Sequence, residues 1–483
     1  MTMKITAYAD RTSVAPEESI NFMVNCRANS FKADFVKLIC GDLNPDGPGY
    51  KEHPIKTKAN GTYPGRRQVI HAGSFIQLDE SEHFNSLESF TLQAFIWPTL
   101  PENTKQTIIG NWSQQNSNGA YLSLGSQNCG LTLTLGFGKG KLEEFSTGKS
   151  FLPRNWYFVS ATYDAKTKSV SLTQEALHNH AKINDSAKKK YTVRNRGMKN
   201  CARVATIGAN FLKFDKNRTV CQNHFNGKID SPAIASRALN PMEIEQLKYR
   251  QNQSLMSTDV LAAWDFSKNI KSMNVSDVSG NRINGKLVNM PVRGMTGWNW
   301  NGDEMNWSHA PNQYGAIHFH DDDVHDAGWE IDVTLKIPKS LKSGLYAARL
   351  RCGTNLEEED YVPFAVLPPK GKATAKICFL LPTASYMAYA NEHMGTDAPI
   401  AQLLAGRLVE HQHQDLYRNE HREYGPSCYD VHTDGSGVCY SSRLRPILNM
   451  RPKYKSWLGG KGSTLWQFNA DTHIINWLEA MKY

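Results

Sequence analysis

Apolar and polar positions alternate with a period of two over much of the chain, starting close to the N terminus. SINFMVNC (19–26) and FVKLIC (35–40) place successive side chains on opposite faces of an extended backbone, and GDLNPDGPGY (41–50) then supplies a turn-rich loop. The same signature returns in WEIDVTLKIP, GLYAARLRC and DYVPFAVLPP, between residues 329 and 369. Neither stretch is long enough to enclose a core alone. We therefore expect residues 1–66 and 294–369 to pack as one sandwich-like unit, with residues 67–293 inserted between them.

The insert reads as short strands at regular intervals: SFTLQAFIWP, YLSLG, LTLTLGFG, NWYFVSATYD, SVSLTQ and VATIGAN, separated by Gly and Asn turns. Four of its blocks, FTLQAFIWPT, WYFVSATYDAKTKSVSLTQ, FNGKIDSPAIASRALNPMEIEQL and DVSGNRINGKL, resemble the recurring segments of the laminin-G-like, concanavalin-type jelly roll. Modules of that kind often bind glycans or proteins, although the same blocks serve equally as core and turn positions. A Trp-rich connector, GMTGWNWNGDEMNW, follows. From residue 370 the character changes. AKICFLLP predicts a buried strand, APIAQLLAGRLVEH fits helical spacing, and DTHIINWLEAM predicts a second amphipathic helix with Asp471 as its N-cap. One strand and two helices do not close a parallel sheet, so residues 370–483 read as the first part of an α/β domain. The expected fold class is multidomain and mainly β, a β-sandwich with an inserted jelly roll, followed by the N-terminal part of an α/β domain.

Composition narrows the function classes. At 483 residues with 40% hydrophobic and 21% charged content, the chain has material for two or three cores. Its net charge of +9 is dispersed, and Lys188 to Lys190 form the one compact basic run, which gives no case for nucleic acid. The start, MTMKITAYADRTS, has no basic region followed by an apolar stretch, and no segment nears the ~18 apolar residues of a membrane span. A cytoplasmic protein is the expectation. Nine scattered cysteines without a CxxC pair argue against both a disulfide framework and a thiolate zinc site.

Three constellations are candidates for chemistry. In HFHDDD (318–323), alternation on a strand would put His318, His320 and Asp322 on one face and Asp321 on the other, a partial metal-ligand set. No further ligand is identifiable, and a hydrogen-bonded connector is the preferred reading. GVCYS (437–441) resembles a nucleophile elbow, but the second glycine and the preceding apolar strand are missing, so Cys439 is expected to be a free thiol. The third is the tyrosine-rich pair of loops, TASYMAYANE and YGPSCYDVHTDGSGVCYSS. A phenolate at neutral pH requires a strong positive charge nearby, which a hard ferric ion would supply. Spacing alone does not choose among Tyr386, Tyr389, Tyr424, Tyr429 and Tyr440.

Several long blocks, GDLNPDGPGYKE, GWNWNGDEMNW, QYGAIHFHDD, YVPFAVLPP, SYMAYANE, YDVHTDGSGVCYSS, RPILNMRPK and ADTHIINWL, resemble in order the large subunit of the N,N-dimethylformamidase family. The resemblance implies an amidohydrolase that cleaves a small N-substituted formamide to formate and an amine. It implies an α/β amidotransferase-like C-terminal domain and a mononuclear Fe(III) held by two tyrosinates and a glutamate. Carried over by position, the second tyrosine of SYMAY is Tyr389 and that of SCYD is Tyr429, with Tyr386 and Tyr440 as neighbours. The family's glutamate ligand and its catalytic acid and base fall beyond Tyr483 in the family's order, so this chain is expected to be truncated within the catalytic domain, inactive by itself, and unstable past residue 369. A small subunit and a second large subunit are the implied partners, with no nucleic acid or membrane. The alternative is a non-catalytic carbohydrate- or protein-binding β-sandwich protein with a vestigial tail.

Overall fold

The computed structural model describes residues 3–483 except 103, 127–128, 179–182, 196, 198–203, 217, 251–255, 257, 398–408 and 460–462. The chain divides into two compact units, one of residues 1–72 with 324–483 and one of residues 73–323.

The unit of residues 73–323 is a sandwich of two large antiparallel sheets. One runs in the order Leu142–Ser146, Leu131–Phe137, Asn118–Leu124, Gln106–Ser113, Ala205–Ile207, Phe75–Leu78, Gly285–Val288, Asn274–Val275. The other runs Ala187–Thr192, Ser169–Ala176, Tyr157–Asp164, Phe90–Pro98, Gly227–Ala235, Ala316–Phe319, Val292–Met295, with Val260–Ala263 also paired to Gly227–Ala235. Between them lies one apolar core, including Ile76, Leu122, Leu133, Val159, Trp264 and Phe319. Trp264 is fully buried and donates its indole N–H to the Ile283 carbonyl at 2.7 Å, so its one polar atom is not stranded. The basic run Lys188 to Lys190 is an exposed strand, in keeping with a solvated surface.

A bulge in this unit carries a buried acid. Pairing of Gly227–Ala235 with Phe90–Pro98 slips between Asp230 and Ala233, and Ser231 takes a left-handed φ of 47° there. The Asp230 carboxylate accepts the Ser231 hydroxyl at 3.0 Å. Gly297 and Gly315 press against it so closely that a Cβ at Gly297 would meet its Oδ2 at 2.5 Å. Burial pushes Asp230 up to about 6, against the opposing pull of the Ser231 bond and the Arg250 charge. Since the folded value lies above that of an exposed aspartate, folding favours the neutral acid. Its contribution is whole below about pH 4 and is lost as pH rises through 6. We expect this unit to melt at a lower temperature at pH 7 than at pH 5, and Asp230→Asn to remove that part of the pH dependence. The whole span from pH 4 to above 6 is worth on the order of 3 kcal/mol, of which the step from pH 5 to 7 reads about 1 kcal/mol.

The other unit contains a sandwich built from both ends of the chain. Ile5–Ala9, Ser19–Cys26 and Ile331–Lys336 form one sheet. Ser13–Val14, Glu358–Val366, Gly344–Cys352, Ser30–Cys40 and Lys51–Ile55 form the second, with Gly61–Pro64 also on Ser30–Cys40. Phe22, Phe35, Leu335, Tyr346 and Phe364 fill the space between the sheets.

Residues 370–483 share cores with this sandwich rather than standing apart from it. Phe468, Tyr386 and Ile447 pack with Leu38 and Leu345, while Tyr417, Tyr424 and Leu448 pack with Tyr8, Met23 and Trp329. Buried Arg451 donates to Asp360 Oδ1 at 2.8 Å and to the Ala7 carbonyl at 2.6 Å.

Two expectations for this part need correction. ICFLLP is neither strand nor buried; Ile377 is 46% and Leu380 85% exposed. A strand needs a neighbour to receive its ladder bonds, and the described residues of 370–483 contain only isolated bridges. The α/β character expected there is therefore not seen among them. The final helix spans Phe468–Ala480 with Gln467 at its N-cap, so Asp471 lies inside the first turn and not at the cap, where it accepts a hydrogen bond from the Tyr386 phenol. The helix expected over APIAQLLAGRLVEH falls mostly outside the described residues. No helix among the described residues is long and apolar enough to cross a membrane.

Candidate metal centre

The two tyrosine loops meet. Thr383–Ala388 is a short helix capped by Tyr389, whose amide bonds to the Ser385 carbonyl at 3.2 Å. The second loop approaches through Cys428, whose amide donates to the Ala388 carbonyl at 2.9 Å. This stacks the Tyr389 and Tyr429 rings with centroids 4.0 Å apart and planes 18° from parallel. Trp466 closes edge-on against Tyr389 at 4.7 Å. Tyr429 is 53% exposed, so one side of the pair faces solvent. Hydrogen bonding to the Tyr429 phenol, then partial burial, pushes the Tyr389 phenol above its usual range, and the Glu392 charge adds to this.

The remaining tyrosines do other things. Tyr386 is buried against Phe468 and bound to Asp471, and burial raises its phenol further from ionisation. Tyr424 is buried and shares a hydrogen bond of 2.9 Å with Thr6. Tyr440 is partly exposed on the 437–442 segment. Of the five tyrosines that spacing left open, the structure brings Tyr389 and Tyr429 face to face.

Buried polar side chains hold both loops. Asn391 adopts a left-handed φ of 60°, a conformation asparagine tolerates better than most residues. Its side chain donates to the Pro446 and Tyr424 carbonyls at 2.8 and 3.2 Å and accepts the Leu448 amide at 2.8 Å. Asn449 accepts the Asn391 amide at 2.9 Å and donates to the Tyr389 carbonyl at 2.8 Å. Arg445, fully buried, donates to the carbonyls of Tyr424, Pro426 and Ser442. Burial lowers its pKa to about 10, and the Asp430 charge opposes the shift. Gly425, at φ 79°, makes room for it: a Cβ there would lie 2.1 Å from Arg445 Nη1. Behind Tyr389, Glu392 is buried and accepts the Trp457 indole N–H and the Met394 amide. Burial pushes this carboxyl up, and the Arg418 charge opposes the shift. None of these groups was singled out from the sequence, although SYMAYANE and RPILNMRPK contain four of them.

The donor set fits a hard trivalent ion in part. Two phenol oxygens from loops forty residues apart converge on a half-open face, and oxygen donors suit iron(III). The other candidates lie elsewhere. Cys439 is an exposed thiol bonded to the Gly437 carbonyl, with no strand before it. His318 and His320 are buried with ring centroids 4.2 Å apart, but the strand ends at Phe319, so the alternation that would have aligned Asp322 breaks. The acid that meets His320 Nδ1 is Asp323, at 3.2 Å.

Residues 292–483 match the family N,N-dimethylformamidase beta subunit-like, C-terminal, and residues 71–245 match the concanavalin A-like lectin/glucanases superfamily. The N,N-dimethylformamidase beta subunit of Paracoccus aminophilus is 38% identical over 99% of this chain and 63% of its own length. That of an Alcaligenes species is 36% identical over 98% of this chain and 63% of its own. The chain thus spans less than two thirds of these relatives. Among solved structures, the SAP-like pentraxin of Limulus polyphemus matches 47% of this chain and 83% of its own, at 12% identity and a TM-score of 0.28.

Proposed function

The chain resembles N,N-dimethylformamidase beta subunits along nearly its whole length, and from that premise we propose that it is the large subunit of an iron-dependent amide hydrolase. Its substrate in this reading is a small N-substituted formamide, cleaved to formate and an amine. The observation that carries the reading is the stacked pair of Tyr389 and Tyr429, the two positions that the family resemblance marks as iron ligands. Its neighbours push the Tyr389 phenol toward the neutral form, so binding an ion there releases a proton and is favoured as pH rises.

Tyr389 and Tyr429 would hold the ion, whose chemistry when bound is Lewis-acid polarisation of the formyl oxygen. Around the pair, Trp466 shields one edge of Tyr389 from water. Asn449 and Asn391 fix the backbone on which Tyr389 stands. The exposed side of Tyr429 leaves a path for a small amide. A third donor and the groups that move protons onto the leaving amine are assigned to no residue of this chain. A small subunit and a second large subunit complete the assembly in this reading, and a cytoplasmic location goes with it.

Ferric ion added to the metal-free protein should give a visible tyrosinate-to-iron absorption band at one ion per chain. The protein combined with the remaining third of the Paracoccus relative should then release formate from dimethylformamide. A protein that stays colourless under ferric saturation overturns the reading.

A further inference from the structure

We infer that Asp430 is a positioning residue that fixes the spacing of the Tyr389 and Tyr429 phenols. The inference rests on the reading of that pair as an ion-binding site. Asp430 follows Tyr429 directly, is buried, and holds three donors from the two loops. Its Oδ2 accepts the Ser427 amide at 2.8 Å, and its Oδ1 accepts the His393 amide at 2.9 Å. The His393 ring, also buried, sets Nδ1 3.5 Å from Oδ2 and Nε2 3.3 Å from the Arg418 carbonyl. One carboxylate therefore ties a residue two before Tyr429 to a residue four after Tyr389.

Two further bonds join the loops, the backbone bond from Cys428 to Ala388 and the Asn391 side chain donating to the Tyr424 carbonyl at 3.2 Å. The asparagine pair anchors Tyr389 to the 446–449 segment and to Tyr424 at the start of the second loop, while its hydrogen bonds go to none of residues 427–430. Asp430 is thus the side chain that, among the described residues, ties the turn carrying Tyr429 to the segment that follows Tyr389. An asparagine in its place would turn an N–H₂ toward one of two amide N–H donors, and that loop would move away. A glutamate would keep the charge and both acceptors but push the loops apart by one methylene.

The first test needs no metal. Photo-oxidation of the metal-free protein with a ruthenium photosensitiser and persulfate as electron acceptor removes one electron and one proton from each phenol and should couple the stacked rings into a Tyr389–Tyr429 dityrosine, identified by its cross-linked peptide and absent from Tyr429→Phe. In Asp430→Asn we expect the yield of that cross-link to fall about tenfold while the thermal transition stays cooperative. The second test is ferric titration, where the variant should bind about tenfold more weakly with a shifted absorption maximum, as for other supporting groups around metal ligands. If Asp430→Asn does not fold, Asp430→Glu carries the test, with a lower cross-link yield and a shifted maximum expected. Wild-type yield and an unchanged maximum in a folded variant would overturn the inference. A wild-type protein that forms the cross-link yet stays colourless with iron would sink the metal reading while leaving the role of Asp430 in phenol spacing to stand on the first test.

Discussion

Tyr429→Phe is expected to abolish the visible absorption of the ferric protein and to weaken iron binding by well over 100-fold. Loss of a group that merely supports a ligand costs about 10- to 100-fold in metal affinity, and here the ligand oxygen itself is removed. The fold should survive, because Tyr429 is half exposed and a phenyl ring keeps the stack on Tyr389. Tyr389→Phe should have the same effect on colour. Tyr440→Phe should bind and absorb as wild type, and Tyr386→Phe should leave the colour but lose stability, since it strands the Asp471 carboxylate. Ferric titration followed by absorbance, with circular dichroism on each variant, separates these outcomes. Colour retained in Tyr429→Phe would place the ion elsewhere.

Asp360→Ala should destabilise the unit of residues 1–72 and 324–483 by about 3–5 kcal/mol, the cost of leaving one partner of a buried ion pair alone. Asp360 accepts the Ala7 amide at 2.9 Å, the Tyr361 amide at 2.8 Å and Arg451 Nε at 2.8 Å. Removing it strands a buried guanidinium and a buried strand amide together. Replacing both members, Asp360→Leu with Arg451→Met, should recover much of the loss, because no unpaired charge is then left inside. Urea unfolding reads this directly. The transition of this unit should move to lower urea, and that of residues 73–323 should not. Equal shifts in both would mean that the two units unfold as one.

Period-two alternation made the strands legible, since one face of each is buried and register depends on it. That is why SINFMVNC and GLYAARLRC, more than 300 residues apart, could be read as parts of one sandwich. ICFLLP misled because an apolar run indicates only that burial is favourable, not that a partner strand is at hand. The site divides in the same way. Spacing could raise five tyrosines as candidates, and family resemblance selected Tyr389 and Tyr429, which the structure stacks together. Asn391, Asp430, Arg445 and Asn449 were not legible, because each acts through backbone groups of distant segments and no local pattern announces such a bond. The faint signals were chemical: an asparagine two after Tyr389, able to turn left-handed, and an aspartate directly after Tyr429.

The sandwich built from two ends of the chain has a consequence for biosynthesis. Asp34 receives Arg351, which lies 317 positions further along the chain. At ribosomal rates of about 5–20 residues per second, the first strands wait some tens of seconds before the strands they pair with leave the exit tunnel. Residues 73–323, whose strands all pair among themselves, can complete their own sheets during that interval. The N-terminal strands meanwhile present unsatisfied edges, and a chaperone that shields nascent edges would raise the yield of this chain more than that of its isolated inner sandwich.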